Sequence, residues 1–142
     1  MSLVAEGKRI APPASAPSSA AAVTPEEAAA MLRAAFGLFA KWQISDEQAR
    51  ILLGDPSPAT FYRWKRGEIK SIPSDTIWRL GDLMGIHKAL RYMFTEAERT
   101  YAWIKKPNAN FAGKSALDRM LGGAPSDIAV VREYLDAERG GW

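Results

Sequence analysis

Between Ser57 and Lys70 the segment SPATFYRWKRGEIK brings hydroxyls and cations close together: Ser57, Thr60, Tyr62, Arg63, Lys65, Arg66 and Lys70, opposed only by Glu68. Cations meet phosphate oxygens by charge, and hydroxyls hydrogen-bond to phosphates and base edges. A second set closes the sequence, where Arg139-Gly140-Gly141-Trp142 combines a large aromatic, a carboxylate and two small residues. An apolar anchor beside an anion, with little steric hindrance, is the form of a peptide that enters a partner's pocket. The alternative is a frayed terminus.

Other chemistry has little to stand on. The single histidine, His87, has no evident partner in an apolar stretch, so it reads as a packed or surface residue rather than a general base. Without cysteine there is no zinc ribbon, haem attachment, thiol nucleophile or disulfide framework. Neither a glycine-rich phosphate cradle nor a serine elbow is present, and Glu96 and Glu98 are explained by a helix N-terminus. No enzyme activity, metal or cofactor is expected. Lack of cysteine points to a reducing compartment, and no apolar run reaches the roughly 18 residues that cross a bilayer, so the expected location is cytoplasmic, with no membrane partner.

The net charge of +3 and pI near 9.3 permit an anionic partner without requiring one. Residues 1–70 hold 9 basic against 7 acidic side chains and residues 71–142 hold 10 against 9, so any electrostatic site must be local. A chain of 142 residues buries about two thirds of its unfolded surface, enough for a core without staples.

The elements that must position these groups are all helical. Residues 1–23, rich in Ala, Pro and Ser, read as a disordered arm. Thr24-Pro25-Glu26-Glu27 combines a capping box with proline at the first helical position, and Met31, Leu32, Ala35, Phe36, Phe39 and Trp42 follow on one face to a stop near Gln43. Ser45 to Gln48 starts a short helix that Gly54 ends, and Ser57-Pro58 opens another running to Gly67. Phe61 is assigned to the core, while Trp64 reads equally as core or exposed. Ser74 is expected to cap a longer helix interrupted at Gly85, and Thr95 the next, up to Pro107-Asn108. A short helix over 115–121, with Phe111, Leu117 and Met120 as core, and a last helix from Asp127 to about Glu138 complete the set. No period-two pattern occurs, so the fold class is all-α.

Two helices at 45–53 and 58–67 joined by a tight turn have the spacing of a helix-turn-helix, with the second as reading helix. The same pair could equally be part of a bundle with a solvated basic face. In the C-terminal half the residues become specific. Trp103-Ile104-Lys105-Lys106-Pro107-Asn108, Phe111 to Gly123 (FAGKSALDRMLGG), Val131-Arg132-Glu133-Tyr134-Leu135 and Ala137-Glu138-Arg139-Gly140-Gly141-Trp142 strongly resemble the toxin-binding domain of Xre/MbcA/ParS antitoxins. The resemblance extends over about residues 25–142, because an Xre-like helix-turn-helix half precedes it.

The resemblance implies a type II antitoxin with a helix-turn-helix domain over 24–94 and a toxin-binding domain with its tail over 95–142; the arm over 1–23 matches nothing in the family's pattern. It implies as partner a RES-domain toxin that depletes NAD, blocked at its active-site cleft by the last helix and tail, here Arg132, Glu138, Arg139, Gly140, Gly141 and Trp142. It also implies repression of its own operon through double-stranded operator DNA, and twofold symmetry of the reading units suggests a homodimer. The competing expectation is a free-standing helix-turn-helix regulator whose C-terminal half only dimerises. Pro107-Asn108 is assigned to loop direction rather than to contact.

Overall fold

The computed structural model describes residues 23–140, so all of the expected arm except Val23 lies outside the described residues, as do Gly141 and Trp142. Among the described residues the architecture is helical, without a strand: α1 Pro25–Trp42, α2 Asp46–Leu52, α3 Pro58–Lys65, α4 Ser74–Met93, α5 Ala97–Ala102, α6 Ala116–Met120 and α7 Pro125–Glu138, with 3-10 turns at Trp103–Lys105 and Ala109–Phe111.

Local chemistry sets most of the starts. At α1 the Glu27 N–H donates to Thr24 Oγ1 (3.1 Å) while the Thr24 N–H donates to Glu27 Oε1 (2.9 Å). Ser45 with Gln48 and Ser115 with Asp118 form the same reciprocal pair at α2 and α6. At α3 the Ser57 hydroxyl accepts from the Thr60 N–H at 3.2 Å, with Pro58 in the first turn.

Four expectations are corrected. Ser74 is the first residue of α4 rather than its cap; Pro73 is the N-cap and makes no side-chain bond. Its carbonyl accepts from the Ile77 N–H (3.1 Å), and burial of Thr76, Arg79, Leu80 and Leu83 supplies the stability a cap would have added. Similarly α5 is led by Glu96 without a side-chain cap, and Thr100, not Thr95, bonds there, its hydroxyl donating to the Glu96 carbonyl at 3.1 Å. Gly85 does not interrupt α4: it lies under the Arg132 side chain, whose Nε would stand 2.4 Å from an added Cβ. The last helix begins at Pro125, two residues before the expected start.

A single apolar cluster joins α1 (Leu32, Phe39, Trp42), α2 and α3 (Leu52, Phe61, Trp64), α4 (Leu80, Leu83, Ile86, Leu90) and α7 (Ile128, Val131, Leu135). Phe61 and Trp64 are both buried in it, as are Phe111, Leu117 and Met120. Helix α4 is central, packing most extensively on α7 and also on α1 and α5. Arg79 meets Gly123, Asp82 meets Arg132 and Tyr92 meets Arg139, so α4 and α7 run in the same direction. That is possible because α5, the two 3-10 turns and α6 return the chain to the start of α4 before α7 sets out. No described helix is long and apolar enough to cross a membrane.

Candidate functional site

The turn between α2 and α3 is made by two successive left-handed residues, Gly54 (φ 97°) and Asp55 (φ 60°). Glycine is required at the first: besides the positive φ, an added Cβ would stand 2.7 Å from Asp75 Oδ2. The turn is held from behind by α4. The buried Thr76 hydroxyl donates to the Leu53 carbonyl (2.9 Å). Arg79, only 5% exposed, donates to Asp75 Oδ2 (2.9 Å), to the Ile51 carbonyl (3.4 Å) and to the Gly123 carbonyl (2.8 Å). One guanidinium thereby ties the end of α2, the start of α4 and the loop before α7. Sequence reasoning missed this residue; the available signal is a charged residue one turn before Leu83 on the apolar stripe that continues through Ile86 and Leu90.

The seven residues singled out for nucleic-acid contact separate into two groups. Ser57, Thr60, Arg63 and Lys70 line one groove of about 430 Å³ together with Trp64, Glu68 and Asp75. Within it the Ser57 hydroxyl donates to Thr60 Oγ1 (3.0 Å), and Arg63 Nη2 donates to the same oxygen (3.2 Å). Tyr62 and Lys65 turn toward α2 instead, the Tyr62 hydroxyl donating to Asp46 Oδ2 (3.3 Å) and Lys65 Nζ lying 2.8 Å from Asp46 Oδ1. Arg66 pairs with Glu68 at 3.1 Å. That hydrogen bond, and then the guanidinium charge, hold the Glu68 carboxyl below its ordinary range. Exposed pairs of this kind are screened by water and salt, so a phosphate can displace the carboxylate at small cost.

Of the residues assigned to toxin contact, Arg132 packs against the middle of α4 and Arg139 against its C-terminal end. Arg132 reaches across to α4, donating to the Gly81 carbonyl (3.3 Å) and Asp82 Oδ1 (3.2 Å), with Asp136 3.7 Å away on its own helix. Burial pushes the Asp82 carboxyl above its ordinary value, and Arg132 opposes that shift. Glu138 is exposed. Arg139 is folded back: its side chain is 11% exposed, 3.9 Å from Asp136, with the guanidinium carbon 4.9 Å from the Tyr92 ring centroid. Gly140 (φ 101°) ends the helix in the left-handed region, its N–H donating to the Ala137 carbonyl at 3.1 Å.

Nearby, residues 108–114 form a closed loop in which the Asn108 N–H donates to the Lys114 carbonyl (2.9 Å) and the Gly113 N–H to the Asn108 carbonyl (3.0 Å). Pro107 pairs with Ser115 across its neck, as expected of a loop-directing element. Asn110 Nδ2 fastens the loop to α7 by donating to the Tyr134 hydroxyl at 3.1 Å. His87 stacks on Tyr101 with centroids 5.8 Å apart, and burial, aided by Arg91, lowers its pKa below 6.5. Among the described residues no group of three or more His, Asp or Glu could hold a metal ion.

Residues 21–87 match the model of the antitoxin Xre-like helix-turn-helix domain, and residues 89–141 that of the antitoxin Xre/MbcA/ParS C-terminal toxin-binding domain. The chain belongs to the Xre/MbcA/ParS antitoxin family. It is therefore a type II antitoxin, with a DNA-binding half and a half that binds a toxin. The antitoxin is 46% identical over 127 residues to the uncharacterized protein y4oB of Sinorhizobium fredii (strain NBRC 101917 / NGR234), covering 89% of this chain and 95% of that one. No solved structure matches it. The two family matches meet inside α4, so both halves of the antitoxin are built on one helix, whereas the division expected between residues 94 and 95 falls just after its end.

Proposed function

We propose that this antitoxin neutralises a RES-domain, NAD-depleting toxin by lodging its C-terminal segment in the toxin's active-site cleft. We further propose that as a homodimer it represses its own operon through the groove beside α3. The supporting observation for neutralisation is that the toxin-binding match ends in a helix fastened to α4 along its length by Ile128, Val131, Leu135 and Arg132, so that whatever follows is carried by a fixed helix end. A cleft shaped for a dinucleotide accepts an aromatic side chain in place of a base and a carboxylate among groups meant for ribose and phosphate. The Trp142 side chain is the proposed mimic, Gly141 leaves room for it, and Glu138 and Arg132 flank the entry.

The test is co-expression with the toxin. Removing residues 139–142 should abolish protection and let cellular NAD fall. Full protection by the truncated chain overturns the tail mechanism. For repression, Ser57, Thr60, Arg63 and Lys70 are the proposed groove contacts, with Tyr62, Lys65 and Arg66 joining once phosphate displaces Asp46 and Glu68. A twofold pair of such helices would read half-sites about 34 Å apart. The competing reading, a regulator with a merely dimerising C-terminal half, is disfavoured by the toxin-binding match over residues 89–141. A toxin reading frame beside the antitoxin's own would weigh further against it.

A further inference from the structure

We infer that Tyr92 is a positioning residue for toxin neutralisation, setting through Arg139 the direction in which the tail leaves α7. The inference rests on the tail mechanism proposed above and adds a residue on a different helix. Tyr92 is 66% exposed, far more than the other large apolar side chains of the described surface, of which Tyr62 is 43% and Trp78 40% exposed. An aromatic so open to water has little role in the core. Its ring contacts Arg139, the last residue before the turn at Gly140. The guanidinium carbon sits 4.9 Å from the ring centroid, and Asp136 stands 3.9 Å from the same guanidinium.

Three constraints thus meet at one point. The ring fixes the Arg139 side chain against α4, the Asp136 carboxylate fixes it against α7, and Gly140 at φ 101° turns the backbone in a conformation that L side chains rarely adopt. Arg139 is 11% exposed in this arrangement, so little of it is available for a partner. Its part is to hold the helix end, while the recognised groups are those beyond Gly140. A segment whose base is already oriented loses less entropy on entering a cleft, and preorganisation of this kind appears as affinity without any new contact.

The test uses the full chain and an active-site-inactivated RES-domain toxin, with affinity measured by calorimetry and chain integrity by thermal unfolding. Tyr92→Ala should weaken binding by roughly 3- to 30-fold, the range of a cation–π contact between exposed and desolvated, with an unfolding midpoint near that of the parent. Tyr92→Phe and Tyr92→Trp, which keep the ring face, should restore affinity, whereas Tyr92→Leu, which keeps only apolar bulk, should bind as weakly as the alanine variant. Parental affinity in Tyr92→Ala, or rescue by leucine, overturns the inference while leaving the tail mechanism standing. Undiminished affinity after removal of residues 139–142 overturns both.

Discussion

Arg79 offers the sharpest test of how the two halves are joined. Replacing it with methionine keeps the buried stem and removes the guanidinium, so the loss is in its three partners. Asp75 is 48% exposed and returns to water, which limits that pair to under about 1 kcal/mol. The Gly123 carbonyl, 2.8 Å from a charged donor, loses a bond of about 1.5–3 kcal/mol. The Ile51 carbonyl, at 3.4 Å, loses a weaker one of about 0.5 kcal/mol. The total is about 3 kcal/mol, which in a chain of 142 residues lowers Tm by roughly 8–12 °C. Urea unfolding followed by circular dichroism measures it directly. Arg79→Lys, which can satisfy one partner at a time, should recover about half, and Asp75→Asn should lose under about 1 kcal/mol. If Asp75→Asn proves as damaging as Arg79→Met, the carbonyls are not what the guanidinium serves, and the clamp between α2 and the loop before α7 is refuted.

Four further outcomes follow from the same contacts. Arg63→Ala should weaken operator binding and lower its salt slope by about one unit, and an unchanged slope would exclude a phosphate contact at this residue. Asp46→Asn should strengthen operator binding in a filter or fluorescence titration by releasing Lys65 and Tyr62, which both bond to that carboxylate; no gain would show that neither side chain reaches DNA. Asp82 has its folded pKa raised by burial above 3.8, so its ionised form opposes folding at neutral pH and this penalty fades as pH falls through the folded value toward 3.8; Asp82→Asn should therefore be no less stable than the parent at pH 7, with its advantage shrinking in acid. Asp127 is the reverse case, its pKa lowered first by the Ala124 N–H and then by Arg119, so its stabilisation is present above 3.8 and is lost as pH falls through the folded value; unfolding curves of Asp127→Asn should show a deficit at pH 7 that narrows in acid.

What the sequence discloses is what local chemistry decides. Thr24, Ser45, Ser57 and Ser115 announce helix starts because each satisfies an N–H only three residues away, and the turn at Gly54 is legible because its cause is equally local. Where the partner lies far along the chain, the signal fails. Gly85 reads as a break, yet α4 continues through it because a side chain 47 residues later, Arg132, occupies the space beside it. Ser74 reads as a cap, yet it is the first residue of α4 and Pro73 takes the cap position without a side-chain bond, because the helix is stabilised by packing against α1 and α7. The basic side of α3 reads as one surface, but Asp46 on α2 draws Tyr62 and Lys65 out of the groove that Arg63 and Lys70 share. Arg139 is folded onto Tyr92 on α4, a contact 47 residues away that no local spacing announces.

The parallel packing of α4 and α7 bears on how the proposed repression and the proposed neutralisation would coexist. The N-terminal end of α4 lines the groove beside α3 through Asp75 and Thr76, and its C-terminal end carries Tyr92 beside Arg139. The helix has 20 residues, so the two ends stand about 30 Å apart. On the proposed mechanism a toxin engaged at the far end of this strut makes its contacts away from Arg63 and Lys70, and the toxin complex is expected to keep its access to the operator. Any influence of toxin on operator affinity must then travel along α4, or through the Arg79 bond to Gly123, or arise from placing two antitoxins on one toxin assembly. These routes separate experimentally: Arg79→Met should diminish an effect carried through the clamp and leave an effect of assembly intact, provided operator binding by the variant without toxin equals that of the parent.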